Sequence, residues 1–441
     1  MNNTPRQIAR PLTALLAGLT FSPWAAAGGA PHAGPMLGPV PLEFVFFGTV
    51  LAGVAMVHQH ALKVAMGGAL SIALYKVLFS PFAAGAGALG LAAHLGHEWV
   101  VLTNLLLLLL GFALLAKHFE DSEVPAVLPA VLPDDWKGCF VLLVMVFVLS
   151  AFLDNIAAAM IGGAIAHTVF KGRVHIGYLA AIVAASNAGG AGSVVGDTTT
   201  TMMWIAGVSP REVLEAYIAA GTALLVFGIP AALKQQAYAP IQSQATPGAH
   251  IDWARVGVVV FILVSAVVVN VVVNTRYTEH ADVFPFLGAA VWVALLLALP
   301  LRKPDWSQLP GAFKGAVFLL ALVLCASMMP VEQLPAASWM STLALGFLSA
   351  VFDNIPLTEL ALKQGGYDWG FVAYAVGFGG SMIWFGSSAG VALASMFPQA
   401  RSVSLWLRHG WFIPVAYVVG FFVLLAVNGF HPGTVLKGSA P

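Results

Sequence analysis

The sequence predicts an all-α polytopic membrane protein built as two inverted repeats, and three observations carry that reading. Of its 441 residues, 59% are hydrophobic and 9% charged, whereas a soluble domain carries about 25% charged residues. With a mean hydropathy of +0.89, too little polar surface is left to coat a globule. Apolar stretches of membrane-spanning length recur from end to end. Two polar motifs each occur twice, in the same order and with the same internal spacing. The formal net charge of +0 argues against a nucleic-acid partner. Cys139 and Cys325 lie far apart inside apolar segments and read as packing residues rather than a disulfide or metal pair.

Taken in order, Arg6 and Arg10 precede a short apolar run, Leu12 to Phe21, and then Ala25-Ala26-Ala27. A charged start, an apolar run too short for a crossing and a small-residue site predict a cleaved signal peptide over 1–27. Cleavage there leaves the mature N-terminus outside. Apolar segments at 41–57, 61–80 and 99–116 predict three spans. The stretch 138–170 exceeds the roughly 20 residues of one crossing. A second long stretch covers 175–207, and 212–233 reads as a simple span. A polar linker over 234–252 carries Pro240, Pro247 and Gly248. The pattern then begins again: spans at 254–274, 283–300 and 311–330, long stretches at 336–365 and 368–397, and a last span at 403–427. Two repeats are therefore expected, 41–233 and 254–427.

Residues repeat as well as lengths. Leu149-Ser150-Ala151-Phe152-Leu153-Asp154-Asn155-Ile156 is echoed by Leu348-Ser349-Ala350-Val351-Phe352-Asp353-Asn354-Ile355. Gly189-Gly190 with Gly196-Asp197-Thr198 is matched by Gly379-Gly380 with Gly386-Ser387-Ser388. Asp154 and Asp353 fall near the midpoints of 138–170 and 336–365. On one straight helix that places a carboxylate in hydrocarbon at a cost of about 3 kcal/mol. At the tip of a re-entrant hairpin it meets water and other protein, where non-helical backbone is tolerated. Hairpins are predicted over both stretches. The segments 175–207 and 368–397 cluster glycine at mid-depth, where each costs a helix about 1 kcal/mol relative to alanine. Beside Asp197, Thr198, Thr199 and Thr200 this predicts helices broken in mid-membrane, with free carbonyls facing a cavity. Small-residue packing between helices accounts for the glycines but not for the adjacent polar run.

Charge tests the count independently. With the N-terminus outside and hairpins returning to their own side, the inner face holds Lys63, Lys117, Lys137, Lys171, Arg173, Lys234, Arg255, Arg302, Lys303, Lys314, Arg401 and Arg408. The outer face holds Lys76, Arg211, Arg276, Lys363 and Lys437. Twelve against five is the positive-inside bias of a cell inner-membrane protein. It places the linker in the cytoplasm and the C-terminus in the periplasm. The first repeat then starts outside and the second inside, so the repeats are inverted.

These motifs resemble the NhaD-type sodium/proton antiporters of the ion-transporter superfamily, which also holds arsenite, citrate and dicarboxylate carriers. The residues that carry the likeness are Ser150 to Asn155, Ser186 to Thr200, Asp353-Asn354-Ile355-Pro356-Leu357 and Gly386-Ser387-Ser388. The resemblance covers both halves, most clearly from 138 to 425. It implies a scaffold domain and a transport domain of hairpins and broken helices that moves like an elevator, often within a homodimer. This chain departs from the pattern after the first Asp-Asn pair, with Ala157, Ala158 and Ala159 where such antiporters tend to have hydroxyls.

The chemistry of the four loci agrees with a transported cation and needs no cofactor. Sodium is a hard ion held by carboxylate, carbonyl, hydroxyl and amide oxygens. Asp154, Asn155, Asn187, Asp197, Thr198, Thr199, Asp353, Asn354, Ser387 and Ser388 supply them, with no lysine or arginine at any locus. Three carboxylates repel an anion. Asp197 stands opposite Ser387 in the second half and is the leading candidate to bind sodium and proton in turn, whereas Asp154 and Asp353 either bind the ion or cap the hairpin tips. Glu359 faces either the cavity or the outer surface. His94 and His97 are placed in an outer connection, and Trp99, Trp136, Trp253 and Trp411 read as interfacial anchors. Two further readings use the same residues: a sodium-coupled carboxylate or other anion carrier, and, remotely, an intramembrane aspartyl protease, which leaves the repeat unexplained.

Overall fold

The computed structural model describes residues 34–433 except 39, 58–59, 84, 243–249, 278–279 and 281–282. The expected signal peptide at 1–27, the middle of the linker and Lys437 lie outside the described residues. The described residues form helices, apart from a small ribbon pairing Met36–Leu37 with Val40–Pro41. In the first half they are α1 (Leu42–Met56), α2 (Ala61–Phe79), α3 (Gly87–Glu120), α4 (Trp136–Ser150), α5 (Asn155–Val169), α6 (Ile176–Ala191), α7 (Thr198–Ile205) and α8 (Ala216–Tyr238). In the second they are α9 (Trp253–Arg276), α10 (Phe286–Ala298), α11 (Leu309–Ser327), α12 (Trp339–Ser349), α13 (Asn354–Gln364), α14 (Trp369–Gly379) and α15 (Ser388–Met396). The chain closes on α16 (Val403–His409) and α17 (Phe412–Asn428), which meet at a bend of 59°.

Local chemistry sets these boundaries. Asp135 caps α4, Asp252 caps α9 and Asp368 caps α14, each accepting a backbone N–H from the first turn. Ser338 and Ser341 form a reciprocal capping box at the start of α12. Pro285 and Pro300 confine α10 to 13 residues. Among the described residues five helices are long and apolar enough to cross a membrane, or six if α16 and α17 count as one span. The protein is an all-α polytopic membrane protein.

The paired helices are short, as are α1 and α10. At 1.5 Å per residue the 15-residue α4 and α5 each reach about 22 Å, and the 11-residue α12 and α13 about 16 Å, against a hydrocarbon core of roughly 30 Å. The third span differs from the sequence reading. It begins at Gly87, not 99, and runs 34 residues. Hydropathy missed its first turns because His94, His97 and Glu98 lie there. His94 and Glu98 are buried against polar partners on other helices, not carried in a connection.

Three packing clusters follow. One large core joins α4, α5, α6, α8, α14, α15 and α17, where Tyr374, Phe378 and Tyr417 stack, and extends to residues of α3, α7, α9, α10 and α13. A second cluster joins α1, α2 and α11, and includes Cys325. Both cysteines are buried and free. A small third cluster of Leu105, Met202, Leu319, Val323 and Ile355 connects α3 and α11 to α7 and α13.

Candidate functional site

Four short breaks in helix supply the polar groups, and each is organised by an N-cap. Asp154 Oδ2 accepts the N–H of Ile156 at 3.3 Å, and Asp353 Oδ1 accepts that of Ile355 at 3.1 Å. Their backbones match, with φ/ψ of −52/141° and −55/142°. Asp197 Oδ1 accepts the N–H of Thr199 at 3.0 Å, and Ser387 Oγ that of Gly390 at 3.2 Å, again with similar backbones, −140/142° and −139/153°. Capping is what a carboxylate or hydroxyl does at a free helix N-terminus. The capping role weighed for Asp154 and Asp353 is thus realised, and Asp197 shares it. Only one oxygen of Asp197 is used that way.

Its other oxygen enters a buried polar cluster. Asn155 Nδ2 donates to Asp197 Oδ2 at 3.4 Å and to Asn187 Oδ1 at 3.2 Å. Asn187 Nδ2 donates to Ser381 Oγ at 2.9 Å and to Ser387 Oγ at 3.1 Å. Ser186 Oγ ties this group to the backbone, donating to the Asn155 carbonyl at 3.0 Å. Asn155, Asn187, Asp197, Thr199, Ser381 and Ser387 are all buried. Thr199 Oγ1 is buried beside the Asp197 carboxylate. The Thr200 and Thr201 hydroxyls both return to the Asp197 carbonyl at 2.9 Å, which stiffens the turn.

Close approach needs glycine at two points. A Cβ on Gly190 would stand 2.8 Å from the Gly196 carbonyl oxygen and 3.0 Å from Asp197 Cβ. A Cβ on Gly377, from the other half, would meet Asp197 Oδ2 at 3.4 Å. The site is therefore a seam where the break after α6 meets the break after α14.

The predicted residues divide. Asn155, Asn187, Asp197 and Ser387 share the bonded cluster, and Thr199 borders it. Asp353 and Ser388 form their own half-buried pair, Ser388 Oγ donating to Asp353 Oδ2 at 3.3 Å. Asp154 and Thr198 are half-buried at their helix starts. Asp154 and Asp353 both lie within electrostatic reach of Asp197. Asn354 is buried, and no described residue bonds its side-chain amide. Sequence reasoning passed over Ser381. Its signal was available: a hydroxyl directly after Gly379-Gly380, where the first half has Ala191.

Known proteins are similar to this chain over much of its length. The chain is 26% identical over 340 residues to sodium/proton antiporter 1 of Arabidopsis thaliana, covering 66% of this chain and 56% of that protein. It is 26% identical over 346 residues to the Na(+)/H(+) antiporter NhaD of Halomonas elongata, covering 65% of this chain and 66% of that protein. It is also 26% identical over 335 residues to the NhaD of Vibrio cholerae, covering 64% and 69%. The match thus spans 56% and 66% of the length of the first two. No protein-family model matches the chain. Across about two thirds of its length, this chain is similar to the NhaD-type family that its motifs resemble.

Proposed function

We propose that this chain is a secondary transporter, not an enzyme, which exchanges sodium or lithium for protons by alternating access. The observation that carries the reading is the placement of Asp197. One of its oxygens caps α7, and the other faces a buried set of amide and hydroxyl groups that contains no described lysine or arginine. Such a donor set suits a hard monovalent cation. A cation on Asp197 Oδ2 displaces the long bond from Asn155 and takes the place of a proton on the same carboxylate. Cation and proton therefore exclude each other, and exchange follows if the mobile part crosses only with one of them bound.

The layout belongs to the same proposal. Two inverted repeats, 41–233 and 254–427, carry hairpins at 138–170 and 336–365 and broken helices at 175–207 and 368–397. Reciprocal packing supports it: α15 lies on α5 as α7 lies on α13, and α2 lies on α11 as α10 lies on α3. A Cβ on Gly380 would meet the Gly386 carbonyl oxygen and Ser387 Cβ at 2.8 and 3.0 Å, the distances found at Gly190. In this reading the hairpins and broken helices move against α1–α3 and α9–α11. The protein sits in the cell inner membrane as a homodimer, with linker 234–252 in the cytoplasm and both termini in the periplasm.

The test is flux in everted vesicles that contain the chain. Adding sodium or lithium to vesicles holding a proton gradient should collapse the gradient, with no effect in vesicles lacking the chain. Sodium-dependent uptake of citrate or succinate without proton movement would instead make it a carboxylate carrier.

A further inference from the structure

A second buried polar group lies apart from the cation site. Glu98 on α3 and Glu359 on α13 are each 5% exposed, and His94, one turn before Glu98, is 7% exposed. Lys363 Nζ bonds Glu98 Oε1 at 2.6 Å and lies 3.9 Å from Glu359 Oε1, four residues earlier on its own helix. His94 Nε2 contacts Ser327 Oγ at 3.0 Å at the end of α11. Lys76 of α2, which donates to the Met328 carbonyl at 2.9 Å, and His97 complete the charged surroundings. None of these groups touches the cluster around Asp197.

Position gives the ion pair its meaning. Helix α13 begins at Asn354, capped by Asp353, and Lys363 lies in its last turn. From Asn354 to Lys363 the helix rises about 14 Å, so the pair cannot touch a bound cation. It joins α13 to α3 about two turns away along each helix from the small cluster of Leu105, Val323 and Ile355. A helix of three turns is stiff, so what holds one end sets the other. We propose that Glu98 and Lys363 are positioning residues for the cation site: their ion pair anchors the far end of α13 to α3 and thereby sets where Asp353 and Asn354 stand.

Glu359 makes the anchor releasable. Parting the pair strands the buried Glu98 carboxylate, while Lys363 keeps a quarter of its side chain exposed, and an unpaired buried charge is what makes such pairs costly to break. Here the ammonium can pass to Glu359 at i−4 on its own helix, a favourable spacing. The tie to α3 then opens while Lys363 keeps a partner.

The inference rests on the cation-site reading above, and its test separates the two. In the full-length chain in liposomes, Glu98→Gln and Lys363→Met are compared with the swap that combines Glu98→Lys and Lys363→Glu. Amide hydrogen exchange of 354–364 needs no sodium. Each single change should speed it by about tenfold, as loss of a buried partner loosens a local unit, and the swap should restore it. Half-saturating sodium should rise several-fold in the single variants, with a smaller change in maximal rate, and recover in the swap. Should either single variant fail to reach the membrane, Glu98→Asp, which keeps the charge but withdraws it by one carbon, carries the same expectation. Unchanged exchange in the single variants, or a folded swap that stays as fast as they are, overturns the anchor. Wild-type protein with no sodium-linked flux would sink the cation reading while the exchange result stood.

Discussion

Replacing Asp197 by asparagine separates stability from coupling, because the two respond in opposite directions. Asparagine caps helices about as well as aspartate, so the bond now made by Oδ1 to the Thr199 N–H at 3.0 Å survives. What changes is Oδ2, which accepts one long bond from Asn155 at 3.4 Å. Losing a hydrogen bond to a charged group costs about 1.5–3 kcal/mol at good geometry, and this one is long. Removing a buried charge relieves a desolvation penalty of several kcal/mol. Asp197→Asn should therefore melt no lower than wild type in the absence of sodium. The wild-type chain should gain about 2.7 kcal/mol from sodium at a hundred times its dissociation constant, seen as a rise in melting temperature. The variant should gain none. Lowering pH should weaken the wild-type sodium shift competitively, so that more sodium restores it in full. Full sodium-dependent stabilisation of Asp197→Asn, with wild-type pH dependence, would refute the reasoning and move the coupling group to Asp154 or Asp353.

Four further outcomes are expected. Gly190→Ala and Gly380→Ala place a Cβ within 3.0 Å of matching neighbours, so each should cost about 1–3 kcal/mol in denaturation; Gly190→Ala should weaken sodium binding more, because the atom it displaces belongs to the carboxylate residue. Asn155→Ala strips the partner from Asn187 Oδ1 and should reduce sodium affinity at least tenfold, the equivalent of about 1.4 kcal/mol, whereas Asn354→Ala, with no side-chain bond to lose, should change it far less. A periplasm-active reporter should work when fused after Pro441 and fail within 234–252; the reverse pattern would show the span count to be wrong by one. At the start of α9, hydrogen bonds from Arg302 at 2.7 and 3.2 Å hold the Asp252 carboxyl below its ordinary range. The stabilisation this brings is present above the unfolded value of about 3.9 and is lost as pH falls through the lowered one, so the melting difference between wild type and Arg302→Met should exist at neutral pH and close under acid.

Much of this was legible in the sequence because membrane burial leaves so few polar residues to interpret. Helix starts at Asn155, Thr198, Asn354 and Ser388 follow directly from residues able to cap them, and caps are local chemistry. Membership of the cluster was harder to read. Asn187 meets Ser381 across 194 positions, and no periodicity encodes which hydroxyl of one segment reaches which amide of another. The start of α3 was missed for the complementary reason. His94, His97 and Glu98 lower the local hydropathy, and the partners that let His94 and Glu98 be buried, Ser327 and Lys363, come from the other half of the chain. Hydropathy measures a residue against lipid or water, not against a partner still unknown.

The asymmetry between the halves bears on how many sites such a scaffold holds. The motif alignment sets Asp197 against Ser387, Thr199 against Ala389 and Asn187 against Gly377. Each replacement in the second half is smaller or less charged, and each sits where a faithful copy would have built a second cluster. Two carboxylates at the Asp197 and Ser387 positions would face each other across one seam, and like charges so placed cannot both ionise cheaply. Gly377 also leaves room for Asp197 Oδ2, which a Cβ at that position would meet at 3.4 Å and a whole asparagine side chain would crowd. With Asn187 absent from its position, Asn354 has no amide to bond, while Asn155 does. The second half therefore does not repeat the site but completes it, lending Ser381 and Ser387 to a carboxylate it lacks. Restoring the copy by Ser387→Asp should place a second negative charge beside Asp197 and raise proton retention at the expense of sodium binding. If sodium affinity instead rose at neutral pH with both carboxylates present, the single-carboxylate account would be wrong.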